Sequence, residues 1–102
     1  DGVFFISADG DAGLDFLVEK DNSATTTEDV ATMADDTFIT VTWFIDPDAS
    51  KVFYSVNNAA PVGVVNTNLP DDEELTVSFG IQNGEAAAKT MTIDYVVAAV
   101  ER

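Results

Sequence analysis

The chain contains no cysteine and no histidine, and only 4 of its 102 residues are lysine or arginine. Without cysteine and histidine it cannot form a Cys/His zinc site, a thiol nucleophile or a histidine general base. Its 19 acidic residues give a net charge of -15, which repels nucleic-acid phosphates and anionic membrane surfaces. We therefore expect neither nucleic acid nor a membrane as a direct partner.

Long apolar runs are also missing, since none approaches the roughly 18 to 20 residues that a membrane helix needs. Even so, 46% of the residues are hydrophobic and seven are phenylalanine, which is typical of a globular domain rather than a disordered acidic tail. Residues 1–102 are therefore expected to form a single domain. Because the chain opens at Asp1 and runs almost directly into an apolar segment, we expect a processed product or a piece of a longer polypeptide.

Residues 37–56 contain two alternating apolar segments joined by a short turn. In each segment every second residue is apolar, which is the period of a β-strand with one side against a core. The connecting residues 46–50, DPDAS, have turn chemistry and predict an antiparallel hairpin. Trp43 lies in the first segment between Val41 and Ile45, and we expect it in the core.

Similar short segments recur along the rest of the chain. About eight strands spaced near ten residues apart, with no convincing helix, predict an all-β antiparallel sandwich or barrel. Residues 31–36 are expected to hold a helical turn or a loop, and Asn83-Gly84 a turn. Beside the two strands of the central hairpin, we predict strands at residues 3–7, 14–20, 24–30, 62–65, 75–82 and 90–100.

Three stretches of the second half resemble one family: residues 68–75 (NLPDDEEL), 81–89 (IQNGEAAAK) and 93–95 (IDY). They are similar to sequences in structural proteins of tailed bacteriophages, especially marine ones, that carry a concanavalin A-like (laminin G-like) jelly roll. The resemblance implies a jelly-roll-like β-sandwich. It also implies a module on the capsid surface, such as a decoration protein that stabilises the shell, with capsid or other virion proteins as partners.

Jelly rolls of this superfamily are usually longer than this chain. We therefore expect either a reduced version of the fold or the C-terminal part of a longer one. A strand left unpaired by such shortening would be an open edge, and pairing with another chain would satisfy its backbone groups. Self-association is expected beside the contacts with virion proteins.

Three aspartates near the first turn, Asp9, Asp11 and Asp15, form the candidate metal site, with Asn22 nearby in the sequence. Oxygen ligands at alternating positions around glycines suit calcium, and concanavalin A-like folds often bind calcium near their loops. The spacing departs from that of an EF-hand, and Asp-Gly pairs are common in ordinary turns. A solvated loop is the favoured interpretation, and no other cofactor is expected.

A run of four carboxylates, Asp71, Asp72, Glu73 and Glu74, follows Pro70. Because adjacent carboxylates repel one another, the run must lie in solvent or meet a cation or a basic patch. A basic patch on a capsid protein would suit it, whereas a solvated loop is the commoner arrangement.

Four phenylalanines fall out of phase with the better-populated apolar faces: Phe4, Phe38, Phe44 and Phe53. Of these, Phe38, Phe44 and Phe53 form a second set of candidate contact residues. If both faces of the hairpin are apolar, the second face is covered by another sheet, by missing strands or by a partner protein. We treat these phenylalanines, with the acidic run, as candidate partner contacts.

The resemblance to phage structural proteins leads us to expect a non-enzymatic structural protein of a phage virion, located on the capsid surface. The alternative is a carbohydrate-binding adhesion module of the same fold, with calcium as a candidate ligand. A glycosidase would need two carboxylates across a sugar cleft, and no such pair can be located by spacing. Glu19 and Asp94 lie within predicted strands, where we expect a solvated or subunit-facing surface.

Overall fold

The computed structural model describes residues 1–72, 74–82, 86 and 88–100. Within them the chain forms six β-strands and no helix, so the described part holds no helix that could cross a membrane. The strands make two antiparallel three-stranded sheets, each a meander of consecutive strands. The all-β antiparallel prediction is confirmed, and two facing sheets are in keeping with a small β-sandwich. The strands are β1 (Gly2–Ile6), β2 (Gly13–Lys20), β3 (Ser23–Thr32), β4 (Val41–Asp46), β5 (Lys51–Val56) and β6 (Val62–Val65).

Short polar turns join consecutive strands within each sheet. Between β2 and β3, Asp21 and Asn22 have φ angles of 51° and 60°, the left-handed pair of a type I′ turn. A second such pair, Asn57 and Asn58, follows β5 and is closed by a backbone hydrogen bond of 3.0 Å. Asp and Asn tolerate positive φ better than most residues, and the twist of this turn matches that of the strands. These turns therefore help to set the register of both hairpins.

The pairing of β2 with β3 is interrupted by one bulge. The ladder shifts between Leu14 and Phe16, so that residues 28–30 of β3 all lie opposite Asp15. Asp29 has a φ of 53°, and its amide donates to the Asp15 carboxylate at 2.8 Å. The carboxylate thus satisfies a donor that the bulge removes from the ladder.

The core lies between the middle strands of the two sheets. Phe16 and Val18 of β2 are buried in one cluster with Val52 and Tyr54 of β5. The ring centroids of Phe16 and Tyr54 are 4.8 Å apart, and Phe5 of β1 adds a third ring 5.0 Å from Phe16. Full burial of an apolar side chain of this size contributes about 1.5–3 kcal/mol. The alternation of the sequence predicted these two buried faces, and the prediction is confirmed.

Trp43 departs from the burial expected of it. Its cross-strand partner in β5 is the buried Tyr54, so it lies on the inner face of its sheet as predicted. It is nevertheless 37% exposed, because β4 is the edge strand of this sheet and an open cavity lies beside it. The predicted face is correct, and the predicted core burial is wrong.

The strands predicted at residues 75–82 and 90–100 are not formed, since no described residue after Val65 lies in a strand. Both stretches keep their apolar alternation, but a strand also needs a hydrogen-bonded neighbour, and the ladders contain only β1 to β6. The described residues therefore give six strands in place of about eight. At residues 31–36, β3 runs to Thr32 and a loop follows. The predicted turn at Asn83-Gly84 lies outside the described residues.

Candidate interaction surface

The outer face of the second sheet carries a stacked pair of phenylalanines. Phe44 of β4 and Phe53 of β5 are cross-strand neighbours, and their ring centroids lie 5.1 Å apart at an interplanar angle of 12°. Gly63 of β6 is the next neighbour across the sheet, and a Cβ there would stand 2.8 Å from the Phe53 ring. The glycine therefore leaves the space that lets Phe53 lie over β6. We call Phe44 and Phe53 the outer aromatic pair.

The outer aromatic pair is accessible to solvent. Phe44 is 46% exposed, and Phe53 is half-buried. On the same face Asp46 and Lys51 are cross-strand neighbours of opposite charge, so the charge beside the rings is balanced. Phe38, the third predicted contact, is 67% exposed and precedes β4, so it is not part of the stack. An exposed aromatic surface with balanced charge is suited to burial against another protein.

The outer face of the first sheet is different. Phe4 of β1 pairs there with Leu17 of β2, and it is 39% exposed. Its ring covers Gly2, where a Cβ would stand 2.8 Å from the ring. Asp15 and Glu19 alternate with the buried residues of β2, so they share this outer face with Leu17. Two like charges beside the phenylalanine make this face a poorer surface for apolar contact.

A loop after β6 ties the two sheets together; we call residues 66–72 the latch loop. The side-chain amide of Asn68 donates to the hydroxyl of Thr25 in β3 at 3.0 Å. Leu69 packs against the core cluster, and Pro70 is buried. The latch loop thus leads from the second sheet to the first and covers the side of the sandwich where β6 and β3 lie.

Two carboxylates of the acidic run meet a cation of the same chain. Lys20, at the end of β2, binds Asp71 and lies 2.9 Å from Asp72. The hydrogen bond from Lys20 to Asp71, followed by that to Asp72, raises the pKa of Lys20, and Lys20 lowers the pKa of Asp71. Glu74 is exposed, and Glu73 lies outside the described residues. Contact of the run with another protein stays a prediction.

Two of the three aspartates of the candidate metal site accept hydrogen bonds from backbone amides. Asp11 accepts from the Gly13 amide at 2.8 Å, and Asp15 accepts from the bulge in β3. Asp9 lies in the exposed turn before β2, while Asn22 lies at the far end of that strand. Among the described residues, no group of three or more acidic side chains is arranged to hold a metal ion. Calcium binding stays a prediction without a geometric counterpart.

The side of the sandwich away from the latch loop is open. The edge strands β1 and β4 line a cavity of about 3110 Å³ there, together with residues 33–40, 74–82 and 89–100. Small-molecule sites usually enclose roughly 300–1,000 Å³, so this space is too large for one small ligand. We call this the open side.

No protein-family model, no curated protein and no solved structure matches this chain. The alternation of the sequence identified Phe44 and Phe53, and the structure brings them together. The alternation did not identify Lys20 or Asn68 as residues that link the latch loop to the first sheet, because their partners lie 51 and 43 residues away in the chain. No local spacing rule carries such a signal.

Proposed function

We propose that this chain is a non-enzymatic structural component of a tailed-phage virion, bound to the capsid surface as a decoration or stabilising module. The observation that carries the contact is the exposed outer aromatic pair, Phe44 and Phe53. The resemblance of residues 68–95 to phage structural proteins is the reason for proposing a phage particle as the partner. The finer fold that we propose is a reduced concanavalin A-like jelly roll, with the two facing meanders as its central part.

Binding would stabilise the shell by mass action. A module that binds the assembled shell but not the dissociated capsid protein contributes RT ln(1 + [L]/Kd), about 2.7 kcal/mol when its concentration is a hundred times Kd. The outer aromatic pair is already stacked in the free chain, so its side chains lose little conformational freedom on binding. The net charge of -15 keeps the free module soluble and discourages non-specific contact with the packaged genome.

Co-sedimentation with shells of the phage that encodes the chain tests this proposal. The full chain is titrated onto assembled shells, which are then pelleted. The ratio of chain to capsid protein in the pellet measures binding, and the supernatant gives the concentration of free chain. We expect saturable binding at a fixed ratio. Phe44→Ala should weaken it roughly tenfold, because truncating a central aromatic contact costs more than about 1 kcal/mol. Phe4→Ala is the matched control, an exposed phenylalanine of an edge strand on the other outer face, and it should bind within about twofold of the parent chain.

The salt dependence of the same titration separates the two kinds of contact. Apolar contact through the outer aromatic pair survives high salt, whereas contact through Glu74 and the rest of the acidic run is screened. We expect most of the affinity to remain at about 1 M salt, where the Debye length is about 3 Å. Absence of the chain from the pellet at every salt concentration, or equal losses for Phe44→Ala and Phe4→Ala, would contradict the proposal.

A carbohydrate-binding module is the second candidate, and the partial exposure of Trp43 beside the open side favours it. Aromatic rings with one free face are common stacking platforms for ligands. A glycan screen with and without calcium tests this candidate. Saturable binding of one glycan class that is lost in Trp43→Ala, together with no binding to shells, would replace the virion role with adhesion.

A further inference from the structure

The open side exposes strand edges and apolar side chains. Among the described residues, β1 and β4 each have a hydrogen-bonded neighbouring strand on one edge and none on the other. Beside them lie residues 75–82 and 90–97, which line the same cavity and which we call the C-terminal arms. Their alternating apolar side chains are between 43% and 83% exposed: Leu75, Val77, Phe79, Ile81, Met91, Ile93, Tyr95 and Val97.

We propose that the C-terminal arms close the open side by pairing as strands, one with the free edge of β1 and the other with the free edge of β4. Each three-stranded sheet would then have four strands. Pairing satisfies backbone donors and acceptors on the edge and on the arm at once, and it removes two edges that would otherwise invite association with other chains.

The lengths of the arms fit the edges that they would cover. Each arm has eight residues and spans about 26 Å as a strand, whereas β4 has six residues and spans about 20 Å. Their alternation fits as well, because a strand added to either edge places every second side chain on the inner face. The apolar residues of each arm would then join the inner face of the sheet that it extends, the face that carries Phe5 in β1 and Trp43 in β4.

The latch loop favours the chain's own arms over those of a second copy. Lys20 holds Asp71 and Asp72 at the end of β2, and the neighbouring Glu19 pairs with Gly2 at the start of β1. The chain therefore enters the first arm close to the edge of β1. Short connections of this kind give an effective concentration in the millimolar range, far above that of a second copy in dilute solution. This closure leaves the outer aromatic pair exposed, so it does not depend on the proposed virion role.

Disulfide scanning tests the closure cleanly, because the chain has no cysteine of its own. The edge position is Thr42→Cys in β4 or Ile6→Cys in β1, both on outer faces. Each is combined in the full chain with one arm position of the outward phase: Thr76→Cys, Ser78→Cys, Thr90→Cys or Thr92→Cys. The matched control combines the same arm positions with Thr26→Cys. Thr26 is an exposed outer-face residue of β3, on the side of the sandwich that the latch loop covers.

We expect Thr42→Cys to form an intramolecular disulfide with a position of one arm, and Ile6→Cys with a position of the other. The yield should be independent of protein concentration, and the Thr26→Cys pairs should give none. Disulfides that form only between chains would show that the arms exchange with a second copy, and this result would overturn the proposal. Disulfide yields no higher than those of the Thr26→Cys control would also overturn it.

Amide hydrogen exchange of the unmodified chain gives a second measurement that does not depend on any substitution. The amides of β4 that point away from β5 should exchange roughly tenfold or more slowly than those of β6 that point away from β5. Equal exchange at these two edges would contradict the closure.

Discussion

The inner faces of the two sheets pack into one core, whereas their outer faces differ. On the inside, Phe16 of the first sheet and Tyr54 of the second lie within 4.8 Å of each other in the same buried cluster. On the outside, the first sheet places its phenylalanine over a glycine and beside two carboxylates. The second sheet stacks Phe44 on Phe53, with a lysine and an aspartate as cross-strand neighbours. The difference separates residues that hold the fold from residues available to a partner.

This comparison shows why an alternating sequence is read in two different ways. One phase of each strand is apolar because it builds the core, and its burial follows from the fold alone. The other phase has no such requirement, so adjacent aromatic residues that form an exposed patch there point to a local role or an external partner. Phe4 has a local role over Gly2, whereas the outer aromatic pair remains accessible.

The largest expected effect is on the free energy of unfolding, compared between a residue of the core and a residue of the outer face. Phe16→Ala should lower the free energy of unfolding by about 3–5 kcal/mol, because Phe16 is completely buried and its removal leaves a cavity. Phe53→Ala should cost only about 1 kcal/mol, since it loses one stacking partner on a half-exposed face. Urea denaturation monitored by Trp43 fluorescence measures both.

Shell binding should show the reverse order for the same two positions. The folded fraction of Phe16→Ala should bind shells with unchanged affinity, while Phe53→Ala should bind more weakly. If Phe53→Ala were as destabilising as Phe16→Ala, the outer aromatic pair would belong to the core, and the comparison would fail.

The sequence predicted what depends on local alternation and turn chemistry. It located β6 at residues 62–65 and the buried faces of β2 and β5, because strands with one covered face must alternate and short Asp/Asn turns fix the hairpins. It also separated Phe44 and Phe53 from the core residues. The phase of a residue follows from its own strand, so no distant contact was needed.

The remaining features depend on contacts that no local pattern encodes. Trp43 has the right phase, but its exposure depends on whether another strand covers the edge beside it. The linkage between Lys20 and the acidic run joins residues 51 positions apart. Residues 75–82 alternate as regularly as β2, yet alternation determines a face and not a hydrogen-bonded neighbour.

A second pair of substitutions tests how the two sheets are joined. Leu69→Ala should lower the free energy of unfolding by about 2 kcal/mol, because Leu69 packs against the core cluster from the latch loop. Thr67→Ala is the control, since Thr67 lies exposed in the same loop, and its effect should stay within about 0.5 kcal/mol. Thermal unfolding measures both variants. Equal, small effects would mean that the latch loop does not hold the sheets together.

A third pair of substitutions tests the bulge of the first sheet. Gly13→Ala should cost about 1 kcal/mol, because the Asp29 carboxylate occupies the space of the added Cβ and Asp29 must move within the bulge. Gly80→Ala is the matched control, since its Cβ would meet nothing within 4 Å and its effect should be within about 0.5 kcal/mol. Chemical denaturation compares the two. A neutral Gly13→Ala would show that the bulge adapts without strain.

The smallest effect concerns the pH dependence of the Lys20 contact. The pKa of Asp71 is lowered below its usual 3.8, so its contribution is present above that pH and is lost as the pH falls through the folded-state pKa. The pKa of Lys20 is raised above 10.5, so its contribution is fully present below that value. Lys20→Met should therefore lower Tm slightly near neutral pH and by less at a pH below 3.8.

The control for this pH series is Lys20→Arg, which keeps the positive charge beside Asp71 and should follow the parent chain at both pH values. Because both carboxylates are exposed, salt should reduce the difference between Lys20→Met and the parent chain. A difference in Tm that persisted unchanged at low pH would assign the effect to the packing of the lysine stem instead of its charge.

The most direct test of the proposed contact surface is hydroxyl-radical footprinting of the full chain, free and bound to shells, read at individual phenylalanines by mass spectrometry. We expect shell binding to protect Phe44 and Phe53 while Phe4 remains as reactive as in the free chain. Protection of Phe4 with Phe44 and Phe53 unchanged would contradict the assignment of the contact surface, and so would equal protection of all three.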